Sequence, residues 1–309
     1  LILRLSNEMG NQMFMYASAY SISKKLNREL LIDEETAFLL KKNVSSFGLG
    51  FFNITANYAP DNLKYKNLHG YIKRKFFIKT DFLRVKKKFY IEKKDNRKIT
   101  EHSNRYKNIN FDNNLFVEGH FETERYFQDY KEEIKKEFKI KNEENLKNNP
   151  YFNELNKPNS VAICLRQNRF TEGKGQNTPL NKHKSANFSD EQINYINKSV
   201  NFIKSKVAGA NFFLWSNDFS SIDNSKFNFN YKEVKLDTIN NQLDKRILSL
   251  FLLKQCNHFV VTNSTFNWWG AWLSNKNNKL ILRPSSNFFK DFYLNNQDFW
   301  PEHWNVINV

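Results

Sequence analysis

Residues 1–33, LILRLSNEMGNQMFMYASAYSISKKLNRELLID, decide the fold that the sequence predicts. Leu1–Leu5 predicts a strand, and a loop follows over Ser6–Asn11. Apolar residues at helical spacing then predict a helix from Gln12 to Leu26. Glu29–Asp33 predicts a second strand, which completes a βαβ unit. Such a start indicates a parallel sheet with helices packed on its faces.

The second half of the chain repeats this alternation with cleaner periodicity. Ser189 predicts a helix N-cap, and Gln192 lies at the capping-box position three residues later. The helix that they would open carries an apolar stripe at spacings of three and four residues. Strands and further helices are predicted at Val161–Leu165, Asn211–Trp215, Leu243–Lys254, His258–Thr262, Trp268–Leu273 and Lys279–Arg283. The fold class is therefore α/β with a doubly wound parallel sheet.

The length of 309 residues suits two domains of ordinary size or one large α/β unit. We predict an N-terminal domain over 1–150, which contains an irregular insert at 41–115, and a C-terminal domain over 160–309. Residues 141–160 are polar and carry two prolines, so they are the best candidate for a linker. Residues 122–138 predict a helix after a strand at 115–118.

The composition is strongly basic, with a formal charge of +16 from 48 basic and 32 acidic residues. A nucleic-acid binder would explain this charge, but the lysines are dispersed and no nucleic-acid motif occurs. We therefore expect no nucleic-acid partner, and we expect a peripheral contact with an anionic membrane instead. Cys164 and Cys256 lie in apolar runs, which predicts buried free thiols in a reducing compartment and hence a cytoplasmic protein. The basic charge adds the expectation of a peripheral position on the inner face of the plasma membrane.

Three segments that follow predicted strands carry the candidate chemistry. They are Gly10-Asn11-Gln12-Met13-Phe14, the loop that begins at Arg166, and Asn263-Ser264-Thr265-Phe266-Asn267-Trp268-Trp269-Gly270. A junction between a strand and a helix presents free backbone N–H groups to an anion. In a parallel sheet, ligands bind at the carboxyl ends of the strands. The three segments together predict a cleft for a phosphate-bearing ligand.

Each candidate residue also has a plain structural interpretation. Arg166 could bind a pyrophosphate or pair with a nearby acid. Asp218, with Asn217 before it, could accept from a guanine edge or a ribose, or could form a turn. Ser264 and Thr265 could bind phosphate or cap the following helix. Trp268, Trp269 and Trp272 predict core packing.

These motifs resemble the α-1,2-fucosyltransferases of glycosyltransferase family 11. The resemblance rests on Asn11-Gln12-Met13-Phe14, on Phe121-Glu122-Thr123-Glu124-Arg125-Tyr126-Phe127 and on the segment from Asn263 to Trp272, in the same order along nearly the full chain. It implies a GT-B-like fold with two Rossmann-like domains facing a cleft. It also implies an inverting, metal-independent transfer of L-fucose from GDP-fucose to the 2-hydroxyl of a galactose in a bacterial surface glycan.

The central motif of that family, His-x-Arg-Arg-Gly-Asp-Tyr, is altered in this chain. The stretch that matches it is Cys164-Leu165-Arg166-Gln167-Asn168-Arg169-Phe170. The first arginine is kept as Arg166, and the resemblance implies that it binds the pyrophosphate. The second arginine is replaced by Gln167, and the acid is replaced by Arg169. The histidine is replaced by Cys164, so a guanine contact does not carry over.

We therefore assign the following roles as expectations. Arg166 and Glu172, the nearest acid in sequence, are the catalytic candidates, with Glu172 as the base or as a plain solvated carboxylate. The candidates for donor binding are Gly10, Asn11, Gln12, Asn217, Asp218, Asn263, Ser264, Thr265 and Phe266. The expected partners are the donor substrate GDP-fucose and a galactose-terminated glycan acceptor. No metal and no cofactor are expected. The altered motif leaves two alternatives, a catalytically impaired homologue that binds the sugar nucleotide, and a transferase with another GDP-sugar or linkage.

Overall fold

The computed structural model describes residues 1–39, 46–92, 102–172, 175–236, 244–285 and 298–308. Two compact units account for them, one from residues 1–141 with 298–301, the other from residues 142–285 with 302–308. Each unit contains one sheet whose strand pairs are all parallel. The α/β, GT-B-like class with two Rossmann-like units is thereby confirmed. The domain limits 1–150 and 160–309 stay a prediction.

The first unit has a five-stranded sheet with the order β3-β2-β1-β5-β4. Its strands are β1 Ile2–Arg4, β2 Leu31–Asp33, β3 Asn57–Tyr58, β4 Lys87–Ile91 and β5 Phe111–Glu118. Its helices are α1 Met9–Lys25, α2 Asn67–Thr80 and α3 Lys131–Glu137. Because the chain leaves β1 toward β2 on one side and β5 lies on the other, the sheet has a switch point between β1 and β5.

Helix α1 begins three residues earlier than the sequence predicted. Gly10, Asn11 and Gln12 therefore form its first turn and do not belong to a preceding loop. The predicted inner face is buried, from Phe14 to Ile22, and most of the rest of the helix is buried with it. Lysines in the last turn suit the negative end of the helix dipole.

Two other predictions for the first unit differ from the structure. The insert at 41–115 is not simply irregular, because it supplies α2, β3, β4 and the start of β5; its residues 41–45 and 93–101 lie outside the described ranges. Residues 122–138 do not form one helix but two short 3₁₀ turns followed by α3. Tyr126 and Phe127 are both buried, and this packing overrides the helical charge pattern of the segment.

The second unit has a six-stranded sheet with the order β11-β10-β9-β6-β7-β8. Its strands are β6 Ser160–Leu165, β7 Asn211–Ser216, β8 Lys232–Glu233, β9 His258–Val260, β10 Ile281–Pro284 and β11 Asn305–Ile307. Its helices are α4 Phe152–Leu155, α5 Pro179–Lys206, α6 Lys245–Leu253 and α7 Thr265–Leu273. From β6 onward this is the 3-2-1-4-5-6 order of a dinucleotide-binding fold, with its switch point between β6 and β9.

The N-cap of helix α5 lies eleven residues before the predicted N-cap at Ser189. Thr178 is the true cap, since its side chain accepts from the N–H of Asn181, and Pro179 is the first helical residue. Ser189 and Gln192 therefore lie inside the helix, where both are buried. The helix is longer than predicted because its first two turns are polar and carry no apolar periodicity.

The residues predicted as a linker also belong to the second unit. A 3₁₀ helix over Glu143–Asn148 and helix α4 occupy half of 141–160. The ring of Phe152 stacks on Phe251 with centroids 5.8 Å apart, and Glu143 pairs with Lys254 at 2.9 Å. These contacts fix the segment on α6, so it does not act as a free connection.

The core of the second unit lies on both faces of β6, all of whose residues are buried. The predicted stripe of α5 covers one face through Ile193, Ile196, Val200 and Ile203. Trp268 and Trp269 are wholly buried, as the sequence predicted, and so are the two free cysteines. No helix within the described ranges is long and apolar enough to cross a bilayer.

Candidate functional site

The three loops that follow β6, β7 and β9 lie side by side, because these strands are neighbours in the sheet of the second unit. Arg166 comes directly after β6, and Asn217 comes directly after β7. Asn263 follows the end of β9 by three residues and precedes α7. The fold thus brings together Arg166, Asn217 and the segment that begins at Asn263, at the switch point where such sheets bind ligands. The predicted segment that begins at Gly10 belongs to the first unit.

The backbone of Arg166 is fixed by a side chain of α5. The wholly buried amide of Gln192 accepts from the N–H of Arg166 at 3.1 Å and donates to its carbonyl oxygen at 2.8 Å. The guanidinium is about a third exposed and pairs with Glu172 at 2.5 Å. Arg169 approaches the other oxygen of Glu172 at 3.7 Å. Glu172, the predicted base, is therefore held by two cations. The main chain of Arg166, the residue predicted to bind the pyrophosphate, is fixed in position.

Asn217 ties two loops together. Its side chain accepts from the N–H of Gln167 at 2.7 Å and donates to the carbonyl oxygen of Gln167 at 3.1 Å. The side chain of Gln167 is buried and accepts from the hydroxyl of Ser189 at 2.8 Å. These bonds give Asn217 a structural task, and its predicted contact with guanosine stays a prediction.

Asp218 is also engaged by its own loop. Its carboxylate accepts from the N–H and hydroxyl of Ser220, from the hydroxyl of Ser221 and from the amide of Asn168. The hydroxyls of Ser220 and Ser221 hold the pKa of this carboxyl below its ordinary value. Four accepted bonds fill the usual capacity of a carboxylate. A contact with guanine would therefore need one of these donors to move away.

The junction between β9 and α7 carries free hydrogen-bonding capacity. Asn263 is more than nine-tenths buried, and neither polar atom of its side chain has a partner within the described ranges. Ser264 holds the N-cap position of α7 without a side-chain capping bond, and no acidic residue occupies the first turn. Thr265 and Phe266 in that turn are partly exposed. An uncapped N-terminus beside an unpaired amide is suited to bind an anion.

Arg283, near the carboxyl end of β10, lies at the same edge of the sheet and was not predicted from the sequence. Leu282 in β10 pairs with Val260 in β9, so Arg283 is level with Val261, two residues before Asn263. Its Nε atom is buried without a partner among the described residues, and burial lowers the pKa of the guanidinium. An arginine that ends an apolar strand on this edge was the available signal.

A polar cleft of about 480 Å³ adjoins the loops after β6 and β7. Its lining includes Gln167, Asn168, Lys182, Ser189 and Ser221. The volume falls within the range of small-molecule sites, roughly 300–1,000 Å³. A nucleoside would find hydroxyls, amides and a cation there.

In the first unit, Gln12 has no free side-chain capacity. It is wholly buried, and its amide donates to the carbonyl oxygens of Asn7 at 2.6 Å and Ser46 at 2.8 Å. Its oxygen accepts from the N–H of Gly48 at 2.8 Å. Gly10 is buried beside it in the first turn of α1. Both residues hold the entry to α1 in place, and their predicted role in donor binding stays a prediction.

Asn11 belongs to a polar cluster that the sequence did not reveal. Its amide donates to Glu122 at 2.5 Å, and Glu122 lies 3.6 Å from Nδ1 of His120. The other ring nitrogen of His120 lies 2.9 Å from the amide of Asn7. Because an amide N–H can only donate, His120 presents Nε2 as an acceptor and carries its proton on Nδ1, toward Glu122. An imidazole oriented by a carboxylate can act as a base.

This cluster follows β5 at the switch point of the first unit, on a constrained backbone. Phe121 is wholly buried at φ 51°, a left-handed conformation that bulky residues rarely adopt. Gly119 has φ 155°, and an added Cβ would lie 2.4 Å from Cβ of Glu92. The carboxylate of Glu92 accepts from the N–H groups of His120 and Phe121 at 2.7 and 3.0 Å. Such strain persists where surrounding contacts enforce a functional geometry.

No group of three or more possible metal ligands occurs within the described parts of the chain. The expectation of a metal-independent reaction without a cofactor stays a prediction.

Comparison with known proteins assigns the chain to a family. The family model described as glycosyl transferase family 11 matches residues 2–308. The O-antigen biosynthesis glycosyltransferase WbnK of Escherichia coli is 25% identical over 295 residues, which cover 91% of this chain and 92% of the relative. An alpha-1,2-colitosyltransferase of Escherichia coli is 24% identical over 306 residues, 98% of this chain and 97% of the relative.

Among solved structures, similarity is found to fucosyltransferase NodZ from Bradyrhizobium, with a TM-score of 0.46 and 13% identity over 87% of this chain and 91% of that one. POFUT1 in complex with GDP-fucose gives a TM-score of 0.44 and 13% identity over 91% of this chain and 97% of that one.

Proposed function

The chain belongs to glycosyl transferase family 11, and on this premise we propose that it transfers L-fucose from GDP-fucose to the 2-hydroxyl of a galactose. The acceptor is a bacterial surface glycan, and the reaction inverts the anomeric centre. That the chain is a glycosyltransferase follows from its family. The donor sugar, the linkage and the acceptor are the finer part of the proposal.

The observation that carries the proposal is the unpaired amide of Asn263 beside the uncapped start of α7. A buried polar group without a partner costs about 1–3 kcal/mol, so its retention needs a cause. A nucleoside diphosphate supplies that cause, because its oxygens accept from amide and backbone N–H groups. The position at the switch point of a dinucleotide-type sheet supports the same ligand.

In the proposed reaction, the bond between C1 of fucose and the β-phosphate oxygen breaks, and its electron pair leaves with GDP. Arg166 and the first turn of α7 stabilise the charge that develops on the diphosphate, and Arg283 adds a second guanidinium. The acceptor oxygen forms its bond to C1 from the opposite face. Its proton passes to a carboxylate or imidazole base.

Glu172 is the proposed base, and its ion pair links it to donor binding. In the structure its carboxylate is bound to Arg166. A diphosphate that takes Arg166 releases the carboxylate of Glu172, which can then accept the proton. His120, oriented by Glu122, is the competing base on the acceptor side. Loss of turnover in Glu172→Gln or in His120→Gln, with GDP binding kept, separates the two.

The remaining assignments follow from this reaction. Asn217 and Asp218 bond to Gln167 and Asn168, which line the polar cleft that would receive the guanosine. The site as proposed needs no metal and no cofactor. The two free buried cysteines support a cytoplasmic enzyme.

The test is a turnover panel that combines GDP-sugars with galactosides and measures GDP release and product linkage. An α-1,2-linked fucosyl galactoside is the expected product. Arg166→Ala should lower turnover, and Arg246→Ala is the matched control, because Arg246 pairs locally with Asp244 at 2.6 Å on α6. GDP-fucose binding without turnover on any galactoside would refute the proposal and select an impaired homologue.

A second candidate is transfer of another sugar. The relative named alpha-1,2-colitosyltransferase, aligned over 98% of this chain, is the observation that favours it. GDP-colitose therefore belongs in the panel, and a preference for it over GDP-fucose would select this candidate.

A further inference from the structure

The first unit exposes apolar side chains in one short segment. Ten large hydrophobic residues are exposed in the described chain, and six of them lie between positions 68 and 85. All six are more than half exposed: Leu68, Ile72, Phe76, Phe82, Leu83 and Val85. Single exposed apolar residues are ordinary, but a concentrated patch marks an interaction surface. We call these six residues and the basic residues among them the apolar-basic surface.

Helix α2 supplies half of the patch from one face. Leu68, Ile72 and Phe76 follow one another at four-residue spacing, which places them on one side of the helix. Phe77 and Ile78 on the opposite side pack against the sheet core. The side of α2 that packs on the sheet is therefore the one with Phe77 and Ile78. The side with Leu68, Ile72 and Phe76 faces away from the sheet core.

The turn after α2 supplies the other half and is held by specific bonds. The buried carboxylate of Asp81 accepts from the N–H groups of Lys88 at 2.9 Å and Phe89 at 3.2 Å. Lys87 reaches back and donates to the carbonyl oxygen of Phe82 at 2.9 Å. Phe82, Leu83 and Val85 thus project from an ordered turn.

Arginine and lysine surround these apolar side chains. Residues 68–88 contain eight basic residues and one acid, and that acid is the buried Asp81. The exposed basic side chains are Lys73, Lys75, Lys79, Arg84 and Lys86. A surface with apolar anchors inside a basic rim matches the acyl boundary and headgroups of an anionic lipid layer.

We propose that the apolar-basic surface docks the protein on an anionic lipid bilayer. The charge selects this occupant, because a second copy of the chain would bring the same positive surface and repel it. A neutral protein partner would leave the basic rim unpaired. The apolar residues enter the interface while the lysines bind headgroups, so the contact is peripheral. The proposal is independent of the reaction proposed above.

The test is flotation of the full chain with vesicles of phosphatidylcholine alone and of phosphatidylcholine with phosphatidylglycerol. The wild type should bind only the anionic vesicles. Phe76→Ser combined with Leu83→Ser should lower the bound fraction at least about tenfold by removing two anchors. Lys75→Glu combined with Lys79→Glu should lower it about as much by reversing the rim charge.

Matched controls lie on α5 in the other unit. Leu180→Ser removes an apolar side chain of similar exposure, and Lys184→Glu with Lys206→Glu makes the same change of net charge. Both controls should float like the wild type. Far-UV circular dichroism and GDP release with a soluble acceptor should be unchanged in all variants, which separates membrane docking from catalysis.

Three results would overturn the proposal: no flotation of the wild type with anionic vesicles, equal flotation of the surface variants and their controls, or a wild-type dimer in sedimentation that Phe76→Ser with Leu83→Ser abolishes. The last result would identify a second copy as the occupant.

Discussion

Replacement of Asn263 by leucine tests whether this side chain is kept to bind a ligand or to stabilise the fold. The two roles predict opposite signs for the change in the free energy of unfolding. A buried amide without partners costs about 1–3 kcal/mol. Leucine has the same number and branching of side-chain heavy atoms and no polar atoms, so Asn263→Leu should leave the free energy of unfolding of the unliganded protein unchanged or raise it by up to about 2 kcal/mol. A side chain kept for structure would show the opposite sign.

The effect on nucleotide binding should be unfavourable and larger. A hydrogen bond to a charged group contributes about 1.5–3 kcal/mol. At 1.36 kcal/mol for each factor of ten, its loss weakens GDP binding by about 10- to 150-fold. Urea denaturation measures the stability, and isothermal titration calorimetry measures the affinity for GDP.

Gln192→Leu is the matched control, because this buried amide is fully bonded to the backbone of Arg166 and to Phe188. It should lower the free energy of unfolding by about 1–3 kcal/mol. A binding role for Asn263 is refuted if Asn263→Leu destabilises the protein by more than about 1 kcal/mol and leaves GDP affinity unchanged.

Three further predictions concern activity, pH and packing. Arg166→Ala should lower turnover by about 100- to 1,000-fold with folding retained, because the leaving diphosphate loses a fixed cation; a loss under about tenfold contradicts the assignment. Burial lowers the pKa of His258 below its ordinary 6.5, so the stability that neutral His258 contributes is present above that pH and lost as the pH falls. His258→Gln should therefore flatten the decline of the free energy of unfolding in urea between about pH 7 and 5, and an unchanged slope would exclude this source. Gly270→Ala should lower the free energy of unfolding in urea by about 1–3 kcal/mol, because the added Cβ would lie 2.2 Å from a methyl carbon of Leu253. Combined with Leu253→Ala, it should cost less than the sum of the two single substitutions. Additive losses in the double variant would contradict the clash.

Much of the fold could be predicted because strands of a parallel sheet are short apolar runs that local sequence defines. The Val161–Leu165 prediction differs from β6 by one residue. The start of α5 could not be predicted in this way. Ser189 and Gln192 have the spacing of a capping box, but their partners are Gln167 and Arg166, more than twenty residues away. Hydrogen bonds across such separations leave no local signal.

The residues of the candidate site also fall into those that the sequence could predict and those that depend on tertiary contacts. The loops after β6, β7 and β9 could be found, since a parallel sheet gathers its carboxyl ends on one edge. The unpaired Nε of Arg283 and the His120–Glu122 pair could not be predicted, because both depend on tertiary neighbours. The bonds of Gln12 to Asn7, Ser46 and Gly48 also depend on tertiary neighbours, and its predicted role in donor binding stays a prediction.

The bond between Ser189 and Gln167 has an evolutionary consequence. Position 167 holds the place of the family's second arginine, but its side chain is buried against a hydroxyl of α5. An arginine at position 167 would replace the amide that accepts the Ser189 bond by a group that can only donate. The hydroxyl of Ser189 would then lose its acceptor, so the two positions are coupled. A library that restores the arginine must vary position 189 together with 167.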